Sequence, residues 1–575
     1  MEGTYTIRLR AATEKVLAKE ATRLAVRIDG QVVGEAKITA PPKTPGTYTI
    51  SCKLPAGKTK LSVLMANPYV QAEMPDPKRA QPPAPPTKPG AKPDAGKPEA
   101  KPEAKPEKAE KPEPTAEQEL RTVILDTVEV VGPPAAKPSD LQRRLFVATP
   151  GKDLSKREAA KRIAANFARR AYRRPPAGDE IDILLKVFDL ADQQDEVFSD
   201  SIKLMLKAVL VSPGFLYLTP DDGTITGSDG TVVAIGDHQL ACKLSYLFWS
   251  TMPDDELSAL ADAGKLRDPK VITDQVRRLI RDPRSRALFT GFGAPWLGID
   301  HIDELAVDEK KFPLLTKDMR AAMYDEAAML FDIILREDRS VVEFIDCDYT
   351  FMNATLARAY GLEDSVKGAQ MTRVSLSDRN RGGVMTMPGV LAVTSLPNRT
   401  SPVKRGAWVL DRILGQKPST PPANVPLLEQ QDGQASIGLN LRQRTERHRA
   451  DPACMTCHQT IDPIGFGLEN FDVVGHWRDR DDTGSPVDAV GELPGKQRFG
   501  TPADLKRILT AQKDDFCRAL VTRILAFTLC RSLHGYDEVV ADEIADAVIK
   551  DGYRFQSVWI RIATSYPFLN RRISR

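Results

Sequence analysis

Apolar and polar positions alternate along the first part of the chain. Tyr5, Ile7, Leu9 and Ala11 interleave with Thr6, Arg8 and Arg10, the period of a half-buried strand. Leu24, Val26 and Ile28 repeat the pattern up to Asp29-Gly30, a two-residue hairpin turn, with Val32 and Val33 beyond it. Tyr48, Ile50, Cys52 and Leu54 follow, and after Gly57 come Leu61, Val63 and Met65. From Pro75 to about Glu117 the composition narrows to Pro, Lys, Glu and Ala, with the near repeat KPEAKPEAKPEKAEKPEP. Such a tract cannot bury apolar surface and is expected to stay extended and disordered. Val123 to Val131 (VILDTVEVV) then reads as one more strand, too short for a domain of its own. Residues 1–133 are therefore expected to form an antiparallel β-sandwich carrying a disordered insertion at 75–117.

Beyond residue 150 the period changes to that of helices. Ile163, Phe167 and Ala171 precede Pro175-Pro176; Ile181, Leu184, Leu185 and Phe188 start a second helix, and Ile202, Leu206, Val209 and Leu210 a third. Helical spacing recurs over Leu240–Trp249, Val271–Ile280, Ala287–Trp296, Ala321–Leu335 and Leu356–Tyr360. Ser401 reads as an N-cap with Pro402 at the first helical position, Val403, Ala407, Leu410 and Leu414 on one face, and Gly415 placed to stop the helix. KPSTPPANVP beyond it reads as polyproline. Further helices are expected around Leu505–Leu509, Phe516–Phe527, Val539–Ile549 and Val558–Ile562. The fold class is α+β multidomain, with a sandwich at 1–133, helical domains at 150–222 and 234–365, a motif-bearing domain at 375–495 and a C-terminal helical domain at 500–575.

That motif is Ala453-Cys454-Met455-Thr456-Cys457-His458. Cys-x-x-Cys-His is the attachment signature of a c-type haem: two thiols form thioethers to the porphyrin vinyls and the histidine is placed under the iron. With 7 Cys and 6 His in 575 residues, chance gives this pentapeptide in about one such chain per thousand. The alternative is zinc, with Cys454 and Cys457 as half of a site completed by His448 and His476. Cys52, Cys242, Cys347, Cys517 and Cys530 show no paired spacing and read as buried thiols. With 81 basic against 78 acidic side chains, no global field attracts nucleic acid or a membrane surface. No apolar run is long enough to span a bilayer. Covalent haem attachment predicts a periplasmic or extracellular protein, yet Met1 leads straight into a strand with no leader pattern. The natural start is thus expected upstream of Met1, or the leader has been cut away.

FARRAYRRPP (167–176), VLVSPGFLYL (209–218), LSYLFWSTMPDDEL (244–257), DYTFMNATLARAYGL (348–362), RTSPVKRGAWVLDRILG (399–415), CMTCHQTIDPIGFGLENFDVVGHWR (454–478) and YPFLNRR (566–572) occur in this order. Together they resemble the large planctomycete cytochrome-type proteins, a series of adjoining domains of unknown function. The resemblance runs from about residue 155 to 573. It implies an exported multidomain protein, often with an additional haem module and a carbohydrate-binding-like sandwich. This sequence shows no upstream haem module, and its sandwich is short of its first strands. Glycan binding by residues 1–133 is an expectation that the resemblance alone carries.

In the haem reading Cys454 and Cys457 are anchors and His458 is the proximal iron ligand. The sixth ligand decides between electron transfer and haem-dependent chemistry. Met385 and Met387 in RGGVMTMPG, His476 and His448 are the candidates, each with a bland reading as core filling, loop cap or solvated helix end. Asp462-Pro463, Gly465 and Gly467 predict an irregular loop that brings Phe466, Leu468 and Phe471 against the porphyrin, with Arg478, Trp477 or Arg449 near the propionates. Asp254-Asp255 reads as a helix start and Asp481-Asp482 as a turn. Hydrolase, metalloprotease and phosphate-loop signatures are absent. The sequence thus points to an exported c-type cytochrome-like protein, electron carrier or haem-bearing oxidoreductase, with a redox partner protein and polysaccharide nearby. The alternative is a non-redox glycan-binding or scaffold protein with a zinc or structural Cys-x-x-Cys.

Overall fold

The computed structural model describes residues 3–14, 21–54, 57–68, 121–132, 139–194, 196–218, 224–225, 232–418, 439–448, 452–494 and 496–572. The insertion expected at 75–117 and nearly all of the polyproline stretch lie outside them. The protein is mixed α/β and 50% helical. It divides into two compact units, Met1–Val147 and Ala148–Arg575.

Six strands form the first unit: β1 (Gly3–Thr13), β2 (Thr22–Ile28), β3 (Gln31–Ile38), β4 (Gly46–Leu54), β5 (Leu61–Met65) and β6 (Val123–Val131). They make two small antiparallel sheets of three strands, ordered β4-β1-β6 and β3-β2-β5. The alternation has a direct consequence in burial. Ile7, Leu9 and Ile50 from one sheet and Leu24, Val26 and Ile38 from the other belong to one hydrophobic core, while Arg8 and Arg10 face out to Glu129 and Asp126. β6 pairs with β1 from Thr6↔Val131 to Thr13↔Val123 although the whole Pro/Lys/Glu/Ala tract separates them in sequence.

The second unit is helical, and most of its helices fall where the apolar periodicity puts them: Lys156–Tyr172, Gly178–Asp192, Phe198–Leu210, Asp237–Trp249, Pro269–Arg281, Lys317–Arg336, Ala354–Tyr360, Pro402–Arg412, Pro502–Ala511, Lys513–Leu529, Gly535–Lys550 and Phe555–Ala563. Ala287–Trp296 is helical as its spacing expects, preceded by a 3-10 turn at Pro283–Arg286 and wound as a π-helical turn at Phe289–Gly293 before the α-turn Ala294–Leu297. Phe289 and Phe292 of this segment pack against Phe331, and Phe292 also meets Trp559. The three helical domains and the motif-bearing domain expected beyond residue 150 lie in one unit, and from Ile235 to Phe568 they share one hydrophobic core. Its C-terminal strand, Asn570–Arg572, pairs with Val232–Ala234, so the YPFLNRR segment closes onto the beginning of that core.

Candidate functional site

The helix Pro452–Phe466 carries Cys454, Cys457 and His458 in its first half. Positions three and four apart share a helix face, so the winding itself brings the two cysteines and the histidine to one side. The Cys457 side chain is part-buried and packs against the main core, whereas Met455 is 47% exposed. The side chains of Cys454 and His448 and the whole of Arg449 lie outside the described residues.

His458 is held from one turn further on. Its Nδ1 is 2.9 Å from Oδ1 of Asp462, whose side chain is fully buried. Asp462 Oδ2 has no hydrogen-bond partner among the described residues. A buried carboxylate facing a ring nitrogen fixes both the orientation and the tautomer of the imidazole, with the proton on Nδ1 and the lone pair on Nε2. Asp462 was not singled out from the sequence. The signal was there, since a His and an Asp four apart on a helix face each other.

The loop expected at Asp462-Pro463 is instead helix, which continues through Pro463 to Phe466. Proline there forfeits the hydrogen bond to the carbonyl of Gln459 and disfavours helical winding before it, so tertiary packing must hold the turn. It does so against the Pro402–Arg412 helix. A Cβ on Gly465 would stand 1.8 Å from the carbonyl oxygen of Pro402, and one on Gly406 would stand 1.9 Å from that of Ile461. Only glycine lets two backbones approach this closely.

The same partner helix secures the chain after the motif. Arg405 is 1% exposed and donates to the carbonyls of Leu468 (2.8 Å), Phe471 (2.7 Å) and Asp472 (2.9 Å) and to Glu469 Oε1 (3.1 Å). Burial pulls its guanidinium down to about 10, which still leaves it charged at neutral pH, and the Glu469 carboxylate opposes that fall. Glu469 also accepts from Thr400 Oγ1 (2.6 Å) and from Arg478 Nη2 (3.0 Å). Arg478 is thereby committed to protein carboxylates, Glu469 and Asp482. Trp477 donates to Asp479 Oδ1 at 3.0 Å and sets its ring 5.4 Å from that of Phe471. Phe466, Leu468 and Phe471 are at most 2% exposed, covered by protein side chains.

The other candidates sit as follows. Met385 is 1% and Met387 2% exposed, at the 3-10 turn Val384–Thr386 and the start of the helix Pro388–Val393, both within the main core. His476 places Nε2 2.8 Å from the carbonyl of Arg358 and Nδ1 beside Asp472 at 3.5 Å; the Asp472 carboxylate raises its pKa. Among the described residues no group of three or more His, Cys, Asp or Glu is arranged to hold a metal ion. Asp254 does start a helix, accepting from Leu257 N at 3.0 Å, and Asp481 closes a turn through Thr483 N at 2.9 Å. Among the described residues no helix is long and apolar enough to cross a membrane.

No curated protein and no solved structure matches the chain. Four family models do, each described as a protein of unknown function: DUF1595 over residues 159–219, DUF1592 over 235–362, DUF1588 over 381–481 and DUF1585 over 495–568. The model that spans the Cys454–His458 motif bears the cytochrome-type name PSCyt3. Following one another along the second unit, these four are the planctomycete cytochrome-type domain set, and that set is what the chain is similar to.

Proposed function

We propose that this chain is an exported c-type cytochrome-like protein that either carries electrons or serves as the haem-bearing part of an oxidoreductase. One observation carries the reading: on the helix that bears Cys454 and Cys457, the His458 ring is oriented by a buried carboxylate. Metal-ligating histidines are held in this way through their second ring nitrogen. The residues fit a covalent haem c, with Cys454 and Cys457 as thioether anchors and His458 as an axial ligand. When bound, the group supplies one-electron chemistry at a potential set by its axial ligands and by burial.

The chain's own residues do the positioning. Asp462 keeps the proton on Nδ1 and makes the opposite nitrogen the more basic donor. Arg405 and the Gly406–Ile461 and Gly465–Pro402 contacts hold the helix and the segment after it in place. Met385, Met387 and His476 are the proposed second axial candidates, and the choice separates carrier from enzyme. His476 would have to give up its bond to the Arg358 carbonyl, whereas a methionine sulfur breaks no such bond. Covalent attachment places the protein in the periplasm or outside the cell. A protein redox partner, and polysaccharide near residues 1–133, complete the proposal.

Expression with a cytochrome maturation system, followed by a pyridine haemochrome spectrum, tests it. A c-type spectrum that is lost on replacing both cysteines supports the reading. A colourless protein with stoichiometric zinc overturns it in favour of the glycan-binding or scaffold alternative. His458→Ala is expected to shift the Soret band, and the charge-transfer band of methionine ligation, followed in Met385 and Met387 variants, identifies the sixth ligand.

A further inference from the structure

A second polar cluster lies in the core of the same unit. Glu326, in the middle of the helix Lys317–Arg336, is 0% exposed. Its Oε1 accepts from Thr350 Oγ1 at 2.6 Å and from the Tyr360 hydroxyl, while Oε2 has no partner among the described residues. Arg381 is 4% exposed, and its Nη2 donates to the carbonyl of Ala359 at 3.1 Å. Its Nη1 likewise has no partner among the described residues. An unsatisfied acceptor and an unsatisfied donor are thus buried in one cluster. Leaving such groups unpaired is costly, a cost that structural salt bridges avoid by direct contact.

The position of Arg381 ties the cluster to the motif segment. Its guanidinium lies 4.5 Å from the centre of the Tyr360 ring and 4.7 Å from that of Phe471, the residue whose carbonyl Arg405 holds. Gly382 and Gly383 follow, with φ of +102° and +75°, and bring the backbone against the carbonyls of Cys347 and Ile345. The charged group that acts on the Glu326 carboxyl is Arg381, which is itself acted on by Asp378, Asp472 and Tyr360. Glu343, on the 3-10 turn packed against the same helix, is occupied by Arg339 and the Tyr349 hydroxyl. His476 and Asp472 pair with each other, and Arg381 acts on both.

We infer that Glu326, with Thr350, Tyr360 and Arg381 around it, is a buried proton-binding site whose occupancy follows the charge on the His458 side of the core. Oε2 is the atom that takes the proton, because Oε1 already accepts two hydroxyl hydrogens. The second half of the inference rests on the haem reading. One electron from the donor protein removes one positive charge at the haem site, and one proton from solvent converts the Glu326 carboxylate to the acid and restores it. Desolvation agrees with this assignment, pushing Glu326 up to about 7 against the two hydroxyl bonds and the Arg381 charge, while burial and Glu326 hold the Tyr360 phenol protonated.

Infrared difference spectra of the full chain, taken without haem between about pH 5 and 9, test the proton site alone. The expected result is a protonated-carboxyl band that titrates near neutrality and is missing in Glu326→Gln. A titration in the ordinary carboxylate range, or a band untouched by the substitution, overturns the site. Thr350→Val removes one bond to the anion and is expected to move the midpoint upward, which keeps the test decisive if Glu326→Gln fails to fold. In haem-loaded protein the reduction potential is expected to fall with pH through neutrality, and to be flat in Glu326→Gln. A flat wild-type potential overturns the coupling, while the haem-free spectra still decide the proton site. Failure of the haem reading itself shows separately, as a colourless protein.

Discussion

Gly465→Ala tests whether the motif helix is held by the close approach described above. A Cβ at residue 465 would meet Pro402 at 1.8 Å (oxygen), 2.4 Å (carbonyl carbon) and 2.6 Å (Cα), all of them backbone atoms that no rotamer change can move aside. Ordinary carbon contacts need about 3.5 Å, so the two helices must part by more than an ångström along their seam. Overpacking of this kind costs about 1–3 kcal/mol, and more where backbone must shift. The gain from replacing a helical glycine with alanine, about 1 kcal/mol, acts in the other direction. We expect a net loss of about 2 kcal/mol, read as a lower urea midpoint at unchanged m-value. Gly535→Ala, at the first residue of Gly535–Lys550 with nothing within 4 Å of the new Cβ, is the control and is expected to be neutral or mildly stabilising. A Gly465→Ala midpoint equal to or above that of wild type would refute the argument that this contact holds Pro463 in the helix.

Other outcomes follow from the same geometry. Glu469→Gln leaves the buried Arg405 charge without its carboxylate and is expected to cost about 3–5 kcal/mol by denaturant titration, whereas removing the exposed Arg498–Glu492 pair is expected to leave the midpoint nearly unchanged. Because Glu326 is raised from an ordinary 4.5 to about 7, the folded state binds more protons than the unfolded one between those values. Its contribution, about 3 kcal/mol, is therefore full below pH 4.5 and lost as pH rises through 7; Glu326→Gln should flatten that part of the stability–pH curve. Under the proposed haem reading, Asp462→Asn replaces the carboxylate that orients the His458 ring and is expected to raise the reduction potential measured by spectroelectrochemistry; an unchanged potential would count against the orienting role.

What could be read along the chain was whatever depends on neighbours in sequence. Strand alternation at Tyr5–Ala11, the Asp29-Gly30 turn, the Ser401 cap with Pro402 behind it, and the cysteine and histidine spacing of the motif all express local backbone geometry. The motif's placement on one helix face follows from local geometry too, since residues three and four apart share a face. The Asp462 partner was equally local and went unnoticed because Pro463 beside it reads as a helix breaker. The energy that keeps Pro463 helical comes from Pro402, some sixty residues earlier, and the sequence around Pro463 carries no trace of it.

The tertiary structure alone decided the rest. Arg405 and Glu469 are 64 positions apart, and Glu326 meets Tyr360 34 positions away, so no periodicity announces either contact. Phe466, Leu468 and Phe471 have the composition of a cofactor wall and the burial of a protein core. That β6 belongs with the first strands was expected from its short length, but that its partner is β1, from Thr6↔Val131 to Thr13↔Val123, came only from the structure. The sequence by itself determined which elements form and which residue types stand ready for chemistry, because those follow from dihedral preference and side-chain identity. Which groups meet in the dry interior, and hence which carboxylate orients His458's neighbours and which can hold a proton, is set by long-range packing, where burial and not sequence proximity fixes the strength of every polar contact.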